Sequence, residues 1–165
     1  MKYSIVYSSK TGNTKLLAET IKSSLSEEDC IYYGEPSSEA LNADFIFAGF
    51  WTDKGSCNEE MKSFLKTLKK KSVFLFGTAG FGGDPSYFNK ILKSAEKNLS
   101  SDNEIKGSYM CQGKMPASVR ERYVKMSKLP VPVPNIKDMI ENFDKALSHP
   151  DKKDLQQLEQ QILHL

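Results

Sequence analysis

A hydroxyl-rich hexapeptide, Ser9-Lys10-Thr11-Gly12-Asn13-Thr14, stands between two segments of different periodicity, and this junction constrains the fold more than any other stretch. Before it, the apolar run Tyr3-Ser4-Ile5-Val6-Tyr7 reads as a short buried strand. After it, Leu16, Leu17, Ala18, Ile21 and Leu25 recur on one face of a helix. A loop between a strand end and a helix start presents unpaired backbone N–H groups and the positive end of a helix dipole. An anion, most often a phosphate, is stabilised there without a metal. Ser9, Thr11 and Thr14 add hydroxyl donors, Asn13 adds an amide, and Gly12 lets the backbone approach a ligand closely.

The loop has neither the G-x-x-x-x-G-K-[ST] of nucleoside-triphosphate sites nor the three spaced glycines of a dinucleotide turn. An ordinary helix cap needs only one of these hydroxyls. Several together suit a phosphate monoester held without magnesium. Ser9 to Thr14 resembles the phosphate loop of the flavodoxin family, T/S-x-T-G-N-T, which holds the phosphate of flavin mononucleotide (FMN). Met1 to Thr20 is similar to that family throughout, and the resemblance continues more loosely to about Gly113.

A length of 165 residues fits one domain with one sizeable core. Charged residues at 27% and apolar residues at 39% suit a soluble globular chain. No apolar run approaches the roughly 20 residues a membrane helix needs, and the first residues lack a signal-peptide pattern. We therefore expect a cytoplasmic protein without membrane contact. Cys30, Cys57 and Cys111 are odd in number and form no C-x-x-C, which argues against a disulfide framework or a zinc site. His149 and His164 both fall near the C-terminus, away from any His-based chemistry in the main body. The net charge of +2 is spread among interspersed signs and gives no reason to expect nucleic acid. Many flavodoxins are strongly acidic, and this chain departs from that pattern. An FMN phosphate adds up to about −2, which brings the loaded protein close to neutral.

Strands are expected at Cys30–Tyr33, Asp44–Phe50, Val73–Gly77 and Ile105–Cys111. The helix between the third and fourth strands carries Met61, Phe64, Leu65 and Leu68, with Ser56-x-x-Glu59 reading as its capping box. The next carries Phe88, Ile91, Leu92, Ala95 and Leu99. Strands alternating with helices imply an α/β fold. We expect a flavodoxin-like, doubly wound, five-stranded parallel sheet in the order 2-1-3-4-5 over residues 1–148. A C-terminal helical extension is expected over residues 149–165. In that order a ligand sits at the carboxyl ends of strands one, three and four.

Two further loops then border the ligand. The first, Gly49 to Asn58, holds the only tryptophan, Trp51, placed either to stack on a flavin ring or to fill the core beside Phe50. The second, Gly77 to Pro85, has four glycines and a backbone able to lie flat on a ligand, with Phe81 or Tyr87 near. The resemblance implies that Ser9, Lys10, Thr11, Gly12, Asn13 and Thr14 hold the phosphate. It implies that Trp51, Thr52, Asp53 and Gly55 line one side of the ring and Thr78, Ala79, Gly80, Phe81 and Gly82 the other. It also implies that the Lys54-Gly55 peptide flips against the flavin N5. No carboxylate pair, Ser/His/Asp set or Cys/His set converges there, so no catalytic residue and no metal is expected.

Residues 117–128 read as an extra helix bearing Arg120, Arg122, Lys125 and Lys128, either a solvated face or a docking surface for an acidic partner. Leu129 to Pro134 reads as an extended, proline-rich connector. A helix over Ile136–Leu147 follows. Leu155, Leu158, Ile162 and Leu165 then form a stripe that packs on the domain or on another chain, with Pro150 in its first turn. The segments Gly49–Gly55 and Cys111–Pro116 resemble a subgroup of short flavodoxin-like proteins from anaerobic bacteria, among them the partner of bilirubin reductase. The function implied is electron transfer between a reductase and an acceptor enzyme such as bilirubin reductase, in a monomer or weak dimer. An FMN-dependent NAD(P)H reductase of a quinone or tetrapyrrole, and a module that kept the fold without flavin, are the alternatives.

Overall fold

Aromatic and aliphatic side chains alternate along the central strands and give the sheet two different faces. A computed structural model describes residues 1–131 and 133–165; Pro132, within the expected connector, lies outside the described residues. The strands are β1 (Tyr3–Tyr7), β2 (Cys30–Gly34), β3 (Phe45–Asp53), β4 (Ser56–Cys57), β5 (Ser72–Ala79) and β6 (Glu104–Gln112). Five of them run parallel in the order β2-β1-β3-β5-β6, and β4 pairs antiparallel with the end of β3. With that two-residue strand set aside, this is the expected 2-1-3-4-5 arrangement. The helices are α1 (Asn13–Ser24), α2 (Glu59–Thr67), α3 (Pro85–Glu96), α4 (Ala117–Ser127), α5 (Ile136–Ala146) and α6 (Lys152–Leu163).

One face of the sheet presents Tyr3, Phe45, Phe47, Phe74, Phe76 and Tyr109 to Leu17 and Ile21 of α1 and to Leu158 and Ile162 of α6. The other presents Val6, Ile46, Ala48, Val73 and Leu75 to Met61 and Leu65 of α2 and Ile91 and Ala95 of α3. Period-two alternation hidden inside continuous apolar runs is what a strand covered on both sides requires. At the centre, Gly49 pairs with Phe76 and Phe50 with Gly77. A Cβ on Gly49 would lie 2.3 Å from the Phe76 ring, and one on Gly77 2.6 Å from the Phe50 ring. Each ring therefore lies across the opposing glycine, one on either face of the sheet.

The strands outrun the sequence-based expectation where neighbours extend the ladder. β3 continues through Trp51, Thr52 and Asp53, then turns back through Lys54 and Gly55, whose φ values are +51° and +77°. Positive φ at both positions matches the hand of a two-residue hairpin loop. That hairpin pairs Ser56 with Asp53, so Ser56 does not cap α2; Asn58 stands at the N-cap instead. β5 likewise takes in Thr78 and Ala79, which pair with Cys111 and Gln112 of β6. At α6 a capping box joins Asp151 and Asp154 through two backbone N–H bonds of 2.8 and 2.9 Å. Pro150, expected inside the first turn, precedes that cap. The α6 stripe packs back on the domain through Leu158 and Ile162, while Leu165 is exposed. No helix among the described residues is long and apolar enough to cross a membrane.

Candidate functional site

The carboxyl ends of β1, β3 and β5 converge on a cleft of about 380 Å³, within the roughly 300–1,000 Å³ usual for small-molecule sites. The β1–α1 turn contributes Ser9, Lys10, Thr11, Asn13 and Thr14; the end of β3 contributes Trp51 and Thr52. Thr78, Ala79 and Gly80 come from the end of β5. A fourth wall comes from the segment after β6: Gly113, Lys114, Met115, Pro116, Ser118, Val119 and Arg122.

The turn is organised around the start of α1. Gly12 takes a left-handed φ of +89° at the N-cap, and beyond its own chain neighbours nothing described lies within 4 Å of where its Cβ would stand. The Ser9 hydroxyl accepts from the N–H groups of Gly12 (3.1 Å) and Lys15 (3.3 Å), in the manner of an anion at a helix N-terminus. Thr14 is fully buried. Its hydroxyl donates to the Phe50 carbonyl (3.1 Å), so the 3.1 Å contact with Thr78 requires Thr78 to donate. Asn13 donates to the Lys114 carbonyl (2.8 Å). The side chains of Asn13 and Thr14 thus tie the turn to its neighbours, and Lys10 and Thr11 are the exposed ones.

Trp51 is half-buried on the cleft, while its neighbour Phe50 fills the core. The Lys10 ammonium lies 5.1 Å from the Trp51 ring centroid, a cation–π contact. Thr52 donates to the Thr78 carbonyl (2.8 Å). Asn58 clamps the first two walls together. Its side chain donates to the Ser8 hydroxyl (2.9 Å) and its backbone N–H to the Trp51 carbonyl (3.1 Å). Ser8 in turn donates to the Glu60 carboxylate (2.9 Å).

Asp53 and Gly55 sit at the hairpin tip, outside the lining of the cleft. Phe81 is exposed, and Gly82 packs against Gln112; neither lines the cleft. Tyr87 packs with Phe88 into the core on the α3 side, where burial raises its phenol pKa. The fourth wall is held at close quarters. A Cβ on Gly113 would lie 2.4 Å from the Asn13 amide nitrogen, and one on Gly80 2.5 Å from the Met115 sulfur. The Gly80 carbonyl accepts from Gln112 (3.0 Å) and from Asn142 of α5 (3.1 Å). The one signal for this wall in the sequence is strand order, since a strand beside β5 must deliver its following loop to the same end of the sheet.

Lys10, Lys114 and Arg122 line the cleft, and no Asp, Glu or His is among the lining residues. A helix N-terminus with open approach at Gly12, three cations and a flat indole together fit a planar ring that carries a phosphate.

The comparisons with known proteins agree with this geometry. A flavodoxin-like domain-containing protein, BilS, of Clostridium symbiosum is 41% identical over 172 residues, covering 94% of this chain and 90% of the relative. A flavodoxin of Streptococcus pneumoniae superposes with a TM-score of 0.57 at 16% identity, covering 99% of this chain and 96% of the other. A Lactobacillus acidophilus flavoprotein solved in complex with FMN superposes with a TM-score of 0.51 at 17% identity, covering 67% and 93%. The family model of the flavodoxin domain matches residues 4–163, and the chain belongs to the flavodoxin family.

Proposed function

We propose that the cleft binds FMN and that the protein carries electrons between a reductase and a partner redox enzyme. The observation that carries this reading is a cleft that joins a helix-start turn suited to an anion, three cations and an aromatic wall. When bound, FMN supplies the redox chemistry, and the chain supplies binding and electrostatic tuning. The N–H groups opening α1, with Ser9, Thr11 and Lys10, hold the phosphate. Asn13 and Thr14 keep that turn in place through Lys114 and Phe50. Trp51 and Thr52 bound the ring on the β3 side, and Thr78, Ala79 and Gly80 bound it on the β5 side. The hairpin residues Asp53 and Gly55 and the loop residues Phe81 and Gly82 flank those walls.

The finer reading is that the acceptor is a tetrapyrrole reductase of the bilirubin-reducing class. It is supported by the resemblance of Gly49–Gly55 and Cys111–Pro116 to the short proteins that serve such an enzyme, and by the identity with BilS.

An absorbance spectrum of the purified protein, repeated during stepwise anaerobic reduction, tests the carrier reading. Flavin bands are expected, with electrons delivered to the acceptor only when a separate reductase is present. Turnover with NAD(P)H alone would replace the carrier by a reductase. Failure to take up added FMN would overturn both.

A further inference from the structure

The charges of α4 are divided between two faces. Arg122 lines the cleft. On the adjacent face Val124, Lys125 and Lys128, with Phe143 of α5, line a shallow, mainly apolar groove of about 500 Å³. Arg120, at the edge of that groove, is neutralised by a two-pronged bond to Asp144 (2.9 and 3.2 Å). Among the described residues Lys125, Lys128 and Arg122 have no ion-pair partner. Glu121 is the one carboxylate in the groove. Only Tyr123 of α4 is buried, and the chain leaves the helix through exposed Leu129 and Val131. An apolar centre rimmed by charge has the anatomy of a protein interface. Two unpaired lysines against one glutamate leave the rim net basic, which selects an acidic partner by steering it during approach.

We propose that the α4 face docks a carboxylate-rich surface of the redox partner protein. Exposed Ala117 and half-buried Val124 form its apolar centre, Phe143 beside them being buried, and Lys125 and Lys128 form its basic rim. The proposal rests on the electron-carrier reading, and it gives that reading a polarity: the partner approaches as an anion. Because α4 contributes residues both to the cleft and to the groove, a partner seated on the groove contacts a helix that also walls the cleft.

Two haem proteins of opposite surface charge serve as probes: cytochrome b5, whose haem edge is ringed by carboxylates, and cytochrome c, whose haem edge is ringed by lysines. The isotope-labelled full chain, as purified, is mixed with each oxidised cytochrome, so that no electron flows. Amide shifts are expected at residues 117–129 with cytochrome b5 alone, fading at about 0.3 M salt, where charges are screened beyond a few ångströms. The double substitution K125E/K128E should weaken that binding at least about tenfold, with circular dichroism and flavin content unchanged. The rate of electron transfer from the reduced protein to cytochrome b5 at low salt should fall in parallel. Shifts mapping elsewhere, stronger binding to cytochrome c, or unaltered binding by the double variant would overturn the proposal. Shifts on α4 in a protein that takes up no FMN would uphold the docking face and remove the carrier reading instead.

Discussion

Two glycines make opposite local demands, one on space and one on backbone conformation. Gly113 exists where a side chain would collide with the Asn13 amide, 2.4 Å away. Gly113→Ala is expected to break the Asn13–Lys114 bond, worth about 0.5–1.5 kcal/mol, and to raise the FMN dissociation constant up to about tenfold. Quenching of flavin fluorescence on titration into apoprotein measures this, and an unchanged constant would show that the bond does not order the phosphate turn. Gly55 has open space around it and a φ of +77°. Gly55→Val therefore strains only the backbone, by about 1–2 kcal/mol, and restricts the Lys54-Gly55 peptide to fewer orientations. The reduction potentials of bound FMN are expected to shift while binding persists. Potentiometric titration decides it, and identical potentials would remove this peptide from the tuning of the flavin.

Among the elements, α4 and α5 are joined at their edge by an ion pair. Hydrogen bonding from Arg120 holds the Asp144 carboxyl below its ordinary pKa of 3.8. A lowered folded-state pKa means that the contribution is complete above the ordinary value and is lost as pH falls through the lowered one. Both groups are exposed, so the effect on overall stability is small. The contact between the two helices should persist unchanged at pH 5 and loosen only below about pH 4. Arg120→Gln should return the Asp144 midpoint toward the ordinary carboxylate range. Carboxyl chemical shifts across an acid titration report both, and an Asp144 midpoint unaffected by Arg120→Gln would refute the pairing.

Across the whole molecule, the last helix is part of the core. Leu158 is fully buried against the aromatic face of the sheet, and Tyr109 donates to the Asp154 carbonyl (2.7 Å). Leu158→Ala should cost about 2–5 kcal/mol of stability, the usual range for a large-to-small change in a packed interior. Urea unfolding followed by far-UV circular dichroism measures it; a loss under 1 kcal/mol would mean that α6 is separable from the domain. No residue of α6 lines the cleft, so its lining is expected to be kept in such a variant. Weakened FMN affinity without lost stability would therefore contradict this division of labour.

What the sequence determined by itself is what lies close together in it. Strand β1, the turn at Ser9–Thr14 and helix α1 are contiguous, so their periodicities and turn chemistry were all in view within Tyr3–Ser24. The continuous apolar runs of β3 and β5, alternating with helices, pointed to a parallel sheet in the same local way. The ends of those strands did not, because whether Trp51 or Thr78 remains in a strand depends on hydrogen bonds from neighbouring strands. The fourth wall of the cleft was beyond local reading for the same reason. Asn13 and Lys114 are 101 positions apart and meet only because strand order brings β6 beside β5. Likewise Arg120, Arg122 and Lys125 form one basic run in the sequence. Tertiary structure alone assigned the first to an ion pair, the second to the cleft and the third to an open groove, because which element stands against each part of α4 is set by packing and not by local sequence.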